Sequence, residues 1–134
     1  MYDLMIIGSG PAGISAALTA KARNLNFIWF GSRALSTKIE KAEKIMNYPG
    51  LPAVTGSEMQ SVFLKQIDDC GITITESQVN SIYDCGGYFA AGADNEIYEA
   101  KAVIMTVGMT TTREIEGEAR LLGCGVSYCA TCDG

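Results

Sequence analysis

Histidine is absent from this sequence. No catalytic triad, metal site or general base built on imidazole can come from the chain. Any proton transfer must use a carboxylate, a thiol, a tyrosine, a lysine or a bound cofactor. Also absent is any run of roughly 20 apolar residues, so no membrane span is expected. Met1-Tyr2-Asp3 puts no basic stretch ahead of a long apolar core, which predicts no signal peptide and a cytoplasmic location. Positive charge is scarce: 10 Lys and Arg stand against 15 Asp and Glu, a net charge of −5. A phosphate-binding surface needs the opposite balance, so nucleic acid is not an expected partner. Internal repeats and low-complexity linkers are missing too.

What is present is a chain of 134 residues, 48% of them hydrophobic, enough for one domain around a single core. It holds five cysteines, Cys70, Cys85, Cys124, Cys129 and Cys132. An odd number without a secretion signal does not suggest a disulfide framework. Cys70 and Cys85 read as small thiols in or near packed elements. The other three cluster at the end of the sequence.

The hydrophobic pattern predicts a short buried strand over 3–7, an Ala-rich helix over 11–23 with Pro11 in its first turn, and a second buried strand over 27–30. Residues 31–54 are less regular. Lys38, Lys41 and Lys44 recur at spacing three, with Glu40 four residues before Lys44, and read as a short solvated helical turn. Ser57-Glu-Met-Gln60 has the pattern of a capping box for a helix over 58–69, ended by Gly71. Residues 72–76 alternate as a strand. Residues 78–83, 87–91 and 96–99 predict a small antiparallel set turning at Gly86-Gly87 and Asp94-Asn95, and 102–107 a further apolar strand.

Between the first strand and the first helix lies Gly8-Ser9-Gly10-Pro11-Ala12-Gly13, a G-x-G-x-x-G turn. The first glycine permits the tight turn, the second a close approach of backbone to a pyrophosphate, and the third the packing of helix on strand. With a strand before it, and a helix and a second strand after it, the turn marks a dinucleotide site in a βαβ unit. The acid usually found some twenty residues on, which grips a ribose hydroxyl, is missing. Phe30 is followed by Gly31-Ser32-Arg33 instead. Ser32 or backbone groups can take the ribose, and Arg33 suits a 2′-phosphate. The turn by itself leaves FAD and NADP both open.

Cys129-Ala-Thr-Cys132 is a C-x-x-C pair followed by Asp133. The spacing suits a redox disulfide, and Asp133 is placed to exchange a proton with a thiol. A zinc site would have to recruit the distant Cys70 or Cys85. Cys124, Cys129 and Cys132 also match the C-x4-C-x2-C spacing of plant-type 2Fe–2S ferredoxins, which needs a fourth cysteine further on. No metal is therefore expected, and Cys124 reads as a buried or incidental thiol.

Taken together, Ile-Ile-Gly-Ser-Gly-Pro-Ala-Gly (6–13), Asn-Tyr-Pro-Gly (47–50), Thr-Val-Gly (106–108) and Cys-Ala-Thr-Cys-Asp-Gly (129–134) resemble the N-terminal half of low-molecular-weight thioredoxin reductases, in that family's order. The resemblance implies an α/β, Rossmann-like FAD-binding domain with a parallel sheet and a small antiparallel β insertion. Residues 1–112 would be its N-terminal part, and 113–134 a linker and the start of the redox-disulfide domain. It implies FAD as the cofactor, with Gly8, Ser9, Gly10, Pro11, Ala12 and Gly13 on the pyrophosphate and Gly31 and Ser32 near the adenosine ribose. Asn47 would lie near the flavin, and Thr106, Val107 and Gly108 would close over the cofactor. Cys132 would face the flavin, Cys129 would attack a protein disulfide and Asp133 would act as acid–base. The implied activity is that of a flavin-dependent disulfide reductase, moving electrons from FAD to the Cys129–Cys132 disulfide and on to a thioredoxin-like protein, as a homodimer when complete.

Two departures qualify that expectation. Where the family usually has Gly-Gly-Gln-Leu or similar, this chain has Ala34-Leu-Ser-Thr-Lys-Ile39. That is similar to the ferredoxin-dependent flavin thioredoxin reductases, so the donor is NADPH or ferredoxin. The lysines behind the loop can dock an acidic donor, although a solvated face is the plainer reading. The sequence also stops where the family's second domain begins and lacks the later segment that completes the FAD site. The expectation is a fragment that holds FAD incompletely and does not turn over alone. The alternative is a non-catalytic flavin-binding or electron-transfer piece that needs a second chain.

Overall fold

A computed structural model describes residues 1–109, 116–121 and 124. Cys129, Cys132 and Asp133 lie outside the described residues, as does the boundary expected at 112–113. The first strand, β1 (Tyr2–Ile7), is apolar and buried from Leu4 to Ile7, because both of its faces are covered there. Leu4 and Ile6 enter one core with Trp29, Ile14, Ala17 and Phe63. Met5 and Ile7 enter a second, with Ile28, Phe30, Ala91 and Ala100.

Helix α1 (Pro11–Ala22) buries Gly13, Ile14, Ala17 and Ala20, a stripe of mostly small residues that brings it close to the sheet. It is followed at Asn24 by a left-handed residue, φ 55°, and the chain returns as β2 (Phe27–Phe30). β1 pairs in parallel with β2 on one side and with β5 (Glu96–Met105) on the other, Ile6 facing Trp29 and Ile104. β3 (Val79–Asp84) and β4 (Phe89–Ala93) complete one five-stranded sheet in the order β2-β1-β5-β4-β3. The Rossmann-like reading holds, with parallel pairing in the β2-β1-β5 half of the sheet and antiparallel pairing in the other.

The antiparallel part differs from its expected form. It is continuous with the parallel sheet, because 96–99 and 102–105 belong to a single strand, β5, while Thr106 and Val107 lie beyond its end. Ala100 pairs with Phe89 on one side and with Tyr2 on the other. Polar Glu99 and Lys101 break the hydrophobic run there and suggest a gap. In the fold, Lys101 is tied to Asp3 at 2.7 Å and the ladder runs through. The antiparallel end packs back over the second face, where Tyr98 meets Phe30 edge to face at 5.0 Å. The turns at Gly86-Gly87 and Asp94-Asn95 have the positive φ values their residue types favour.

Residues 72–76 form no strand of their own. Thr75 makes one parallel bridge to Phe30, with its N–H donating to Trp29 O at 2.7 Å. Ser77 N–H then donates to Thr75 O at 2.9 Å, which bends the chain off the sheet edge. The lysine repeat is not one helical turn either: α2 spans only Thr37–Glu40, so Glu40 and Lys44 share no helix. Cys70 packs against the first core, whereas Cys85 is exposed at the β3–β4 turn. Helix α4 (Glu118–Leu121) follows the last strand.

Helix α3 spans Gly56–Asp69 and starts two residues before the expected 58. Its cap is Thr55, not Ser57. Thr55 Oγ1 accepts from Glu58 N–H at 3.2 Å, and Glu58 Oε2 accepts from Thr55 N–H at 2.8 Å. The early start is possible because Gly56 lies under α2, where a Cβ would come 1.7 Å from Ile39 O. Thr55→Ala should lower stability by about 1 kcal/mol, read from urea unfolding.

The Thr55 backbone N–H, then its hydroxyl, hold the Glu58 carboxyl below its ordinary value of 4.5. Lys101 and the Asn26 N–H hold Asp3 below 3.8. Groups depressed in this way stabilise the fold fully above their unfolded values. That contribution disappears as pH falls through the folded values, so acid should weaken the fold below the ordinary carboxylate range.

Candidate functional site

The chain leaves β1 through Gly8, whose φ of +113° and surroundings both demand glycine. A Cβ there would meet Thr106 O at 2.3 Å. Gly8 N–H donates to Phe30 O at 2.8 Å, and Gly8 O accepts from Trp29 Nε1 at 2.8 Å and from Thr106 Oγ1 at 3.1 Å. All three parallel strands therefore hold one turn. Gly13 packs behind it, where a Cβ would come 2.0 Å from Gly8 O. Gly10 differs from both. Its φ is −73°, and a Cβ would meet no protein atom within 4 Å. Nothing in the fold requires a glycine there.

Ser9 is buried and links the turn to the loop after β2. Its Oγ donates to Leu35 O at 3.0 Å and accepts from Ser32 N–H at 3.0 Å. Gly31 is the residue this contact demands, since a Cβ would lie 2.6 Å from Ser9 Cβ. On the other flank Thr106 donates its N–H to Ile7 O at 2.7 Å and its hydroxyl to Ile7 O at 2.9 Å.

These three segments meet at a cavity of about 660 Å³ beyond the carboxyl ends of the parallel strands. Ligands of open α/β sheets bind there, and roughly 300–1,000 Å³ is usual for cofactor sites. Gly8, Ser9, Gly10, Pro11, Ala12, Gly31, Ser32, Thr106, Val107 and Gly108 all line it. Gly13 supports the turn from behind. Asn47 is exposed in the loop after α2 and is not on the cavity wall. The N-cap of α1 is Gly10, with no side-chain cap and no acid in the first turn. Its first N–H groups and the positive end of its dipole are thus left for an anion.

Sequence reasoning missed part of the wall: Lys38, and the segment Ser77-Gln78-Val79. Treating 72–76 as the next parallel neighbour of β2 would have found the segment, because its end must also reach the crevice. Lys38 has no such signal. Among the described residues it is the one charged side chain lining the larger cavity, and its Nζ donates to Met109 O across the opening. Arg33 is not on the wall. Its guanidinium is bound to both Asp68 oxygens at 3.0 Å, so the 2′-phosphate reading finds no geometry.

Among the described residues no group of three or more His, Cys, Asp and Glu could hold a metal ion. Cys124, expected as buried or incidental, is exposed. No described helix is long and apolar enough to cross a membrane.

A family model described as pyridine nucleotide-disulphide oxidoreductase matches residues 2–134. A thioredoxin reductase of Bacillus subtilis is 32% identical over the whole chain, which covers 43% of that relative. A bifunctional thioredoxin reductase/thioredoxin of Mycobacterium leprae is 36% identical, with 30% of its length covered. Among solved structures, a ferredoxin-flavin thioredoxin reductase from Clostridium acetobutylicum matches with a TM-score of 0.80 and 47% identity, over 98% of this chain and 46% of that one. The thioredoxin reductase from Streptococcus pyogenes matches with a TM-score of 0.83 and 34% identity, over 99% and 44%. The chain spans less than half the length of these relatives.

Proposed function

Because the chain belongs to the pyridine nucleotide-disulphide oxidoreductase family, we propose that it carries the FAD-binding portion and the redox cysteines of a flavin-dependent disulfide reductase of thioredoxin reductase type. The observation that carries this reading is the cavity where the glycine turn, the β2 loop and Thr106–Gly108 converge. Gly10 tests the fit: a glycine the fold does not need stands at the mouth of a helix whose N–H groups have no cap. A pyrophosphate against that backbone accounts for both facts.

When bound, FAD supplies two-electron chemistry between a donor and a disulfide. The chain's residues bind and orient it. The first turn of α1 faces the pyrophosphate, Gly31 and Ser32 lie by the adenosine ribose, and Thr106, Val107 and Gly108 cover the other end. Asn47 is assigned near the flavin by resemblance alone. In the proposed exchange the Cys129 thiolate attacks a substrate disulfide, forming a mixed disulfide and releasing one substrate thiolate. Cys132 then attacks Cys129 sulfur, restoring the Cys129–Cys132 bond and releasing the second. Asp133 delivers the proton to the leaving thiolate.

The substrate is a thioredoxin-like protein, met in the cytoplasm by a homodimer. Residues 1–112 belong to the FAD-binding domain, and 113–134 lead into the redox-disulfide domain. The donor is NADPH or ferredoxin, and the 47% identity to the ferredoxin-flavin enzyme favours ferredoxin.

The full-length protein should show the visible flavin band, bleached by its donor and restored by oxidised thioredoxin. FAD uptake by the apoprotein should also quench Trp29, the only tryptophan of this sequence, which is bonded to Gly8 O. A bound flavin that oxidised thioredoxin never reoxidises would leave only the non-catalytic, electron-transfer alternative.

A further inference from the structure

Dinucleotide sites of this type usually grip the ribose with an acid at the end of the second strand, and here Gly31-Ser32-Arg33 stands in its place. Gly31 has no room for one, because it must lack a side chain to clear Ser9. Position 32 is a serine, whose hydroxyl accepts from Ala34 N–H at 3.1 Å. We propose that Glu76, from the segment beside β2, takes over this task and accepts the 2′- and 3′-hydroxyls of the adenosine ribose. The inference rests on the FAD reading above and extends it to a residue that the glycine motif does not reach.

The placement follows from the backbone. Thr75 bridges Phe30 in parallel, and Gly31 N–H donates to Thr75 O at 3.1 Å. Glu76 therefore leaves its segment level with the end of β2, where the missing acid would be. Its carboxylate is anchored on one side only. Oε1 accepts from Arg33 N–H at 2.8 Å, while Oε2 accepts from no described residue. A carboxylate held by one oxygen presents the other in a fixed direction, which suits it to receive a hydroxyl.

The surroundings fit a ribose. A recess of about 400 Å³ is lined by Gly31, Ser32, Glu76, Ser77 and Gln78. All of these except Glu76 also line the larger cavity, so the recess adjoins it. Charge excludes the phosphorylated form. The Arg33 guanidinium is bound to Asp68, and the Glu76 carboxylate would repel a 2′-phosphate. The recess thus accepts an unmodified ribose and disfavours NADP-like ligands.

A purely architectural role, in which Glu76 only anchors the Arg33 loop, makes a different prediction. The full-length apoprotein and its Glu76→Ala and Glu76→Gln variants would be titrated with FAD and with an FAD analogue lacking the 2′- and 3′-hydroxyls of the adenosine. Dissociation constants would be read by flavin fluorescence. Glu76→Ala should weaken FAD binding about 10–100-fold, as for loss of a hydrogen bond to a charged group. Its affinity for the dideoxy analogue should stay within about twofold of wild type. Glu76→Gln keeps an oxygen for Arg33 N–H, so it should melt like wild type and lose less FAD affinity than the alanine variant. Equal losses for both ligands, or no loss for either, would overturn the proposal. A wild-type protein that binds neither ligand would instead overturn the FAD reading itself, independently of residue 76.

Discussion

Gly13→Ala and Gly10→Ala should fail in opposite ways. The alanine methyl at position 13 would sit 2.0 Å from Gly8 O, a backbone atom held by Trp29 and Thr106, and neither side can yield cheaply. Overpacking at such a point costs about 1–3 kcal/mol, so unfolding midpoints in heat and urea should fall by that much or more. At position 10 the methyl enters open space with an ordinary φ, and stability should stay within about 1 kcal/mol of wild type. The same methyl occupies the space a pyrophosphate oxygen needs. Loss of one charge-assisted contact there should weaken FAD about tenfold or more. Equal loss of stability in the two variants would contradict the separation of roles. Unchanged FAD affinity in Gly10→Ala would remove the main support for a pyrophosphate at this helix.

The largest effect on activity should come from Cys132→Ser. A serine cannot form or resolve a disulfide, so turnover with oxidised thioredoxin should drop by about 10³-fold or more. Flavin should stay bound with its spectrum nearly intact. Cys129 remains, and it should accumulate as a mixed disulfide with the substrate, visible on a non-reducing gel and by mass. Cys129→Ser should be equally inactive and form no such adduct. Loss of flavin from Cys132→Ser would assign that cysteine a structural role. Adduct formation by Cys129→Ser and not by Cys132→Ser would reverse the two assignments.

The legible part of the fold was the part whose signal is local. Leu4–Ile7 of β1 and all of β2 are continuous apolar runs because both faces are covered, and the glycines around α1 mark its start. β5 reads as two strands in the sequence because its polar residues, Glu99 and Lys101, fall where it changes partners, and a change of partner leaves no mark in composition. The start of α3 is ambiguous in the sequence because Thr55-x-x-Glu58 and Ser57-x-x-Gln60 both have the form of a capping box. What decides between them is the approach of Ile39 O to Gly56, a tertiary contact.

The site divides along the same line. Ten of the twelve residues expected on the cofactor line the cavity and Gly13 supports it, because motif and topology agree there. Asn47, assigned by resemblance alone, is not on the wall. Lys38 and Ser77–Val79 are, but only because two segments far apart in sequence fold to the same crevice.

One earlier contact also governs the order of assembly. The hydroxyl of Thr106 bonds the carbonyls of Ile7 and Gly8, nearly a hundred positions before it. The cradle at the beginning of the chain therefore cannot close while the protein is still short on the ribosome. Until β5 emerges, β1 lacks a neighbour along its whole length on one side and the glycine turn lacks one of its three supports. Such long-range closure is slow, and an unpaired apolar strand is exposed to aggregation meanwhile. Nascent chains released before residue 106 should hold neither the turn nor the cofactor, whatever their first thirty residues encode.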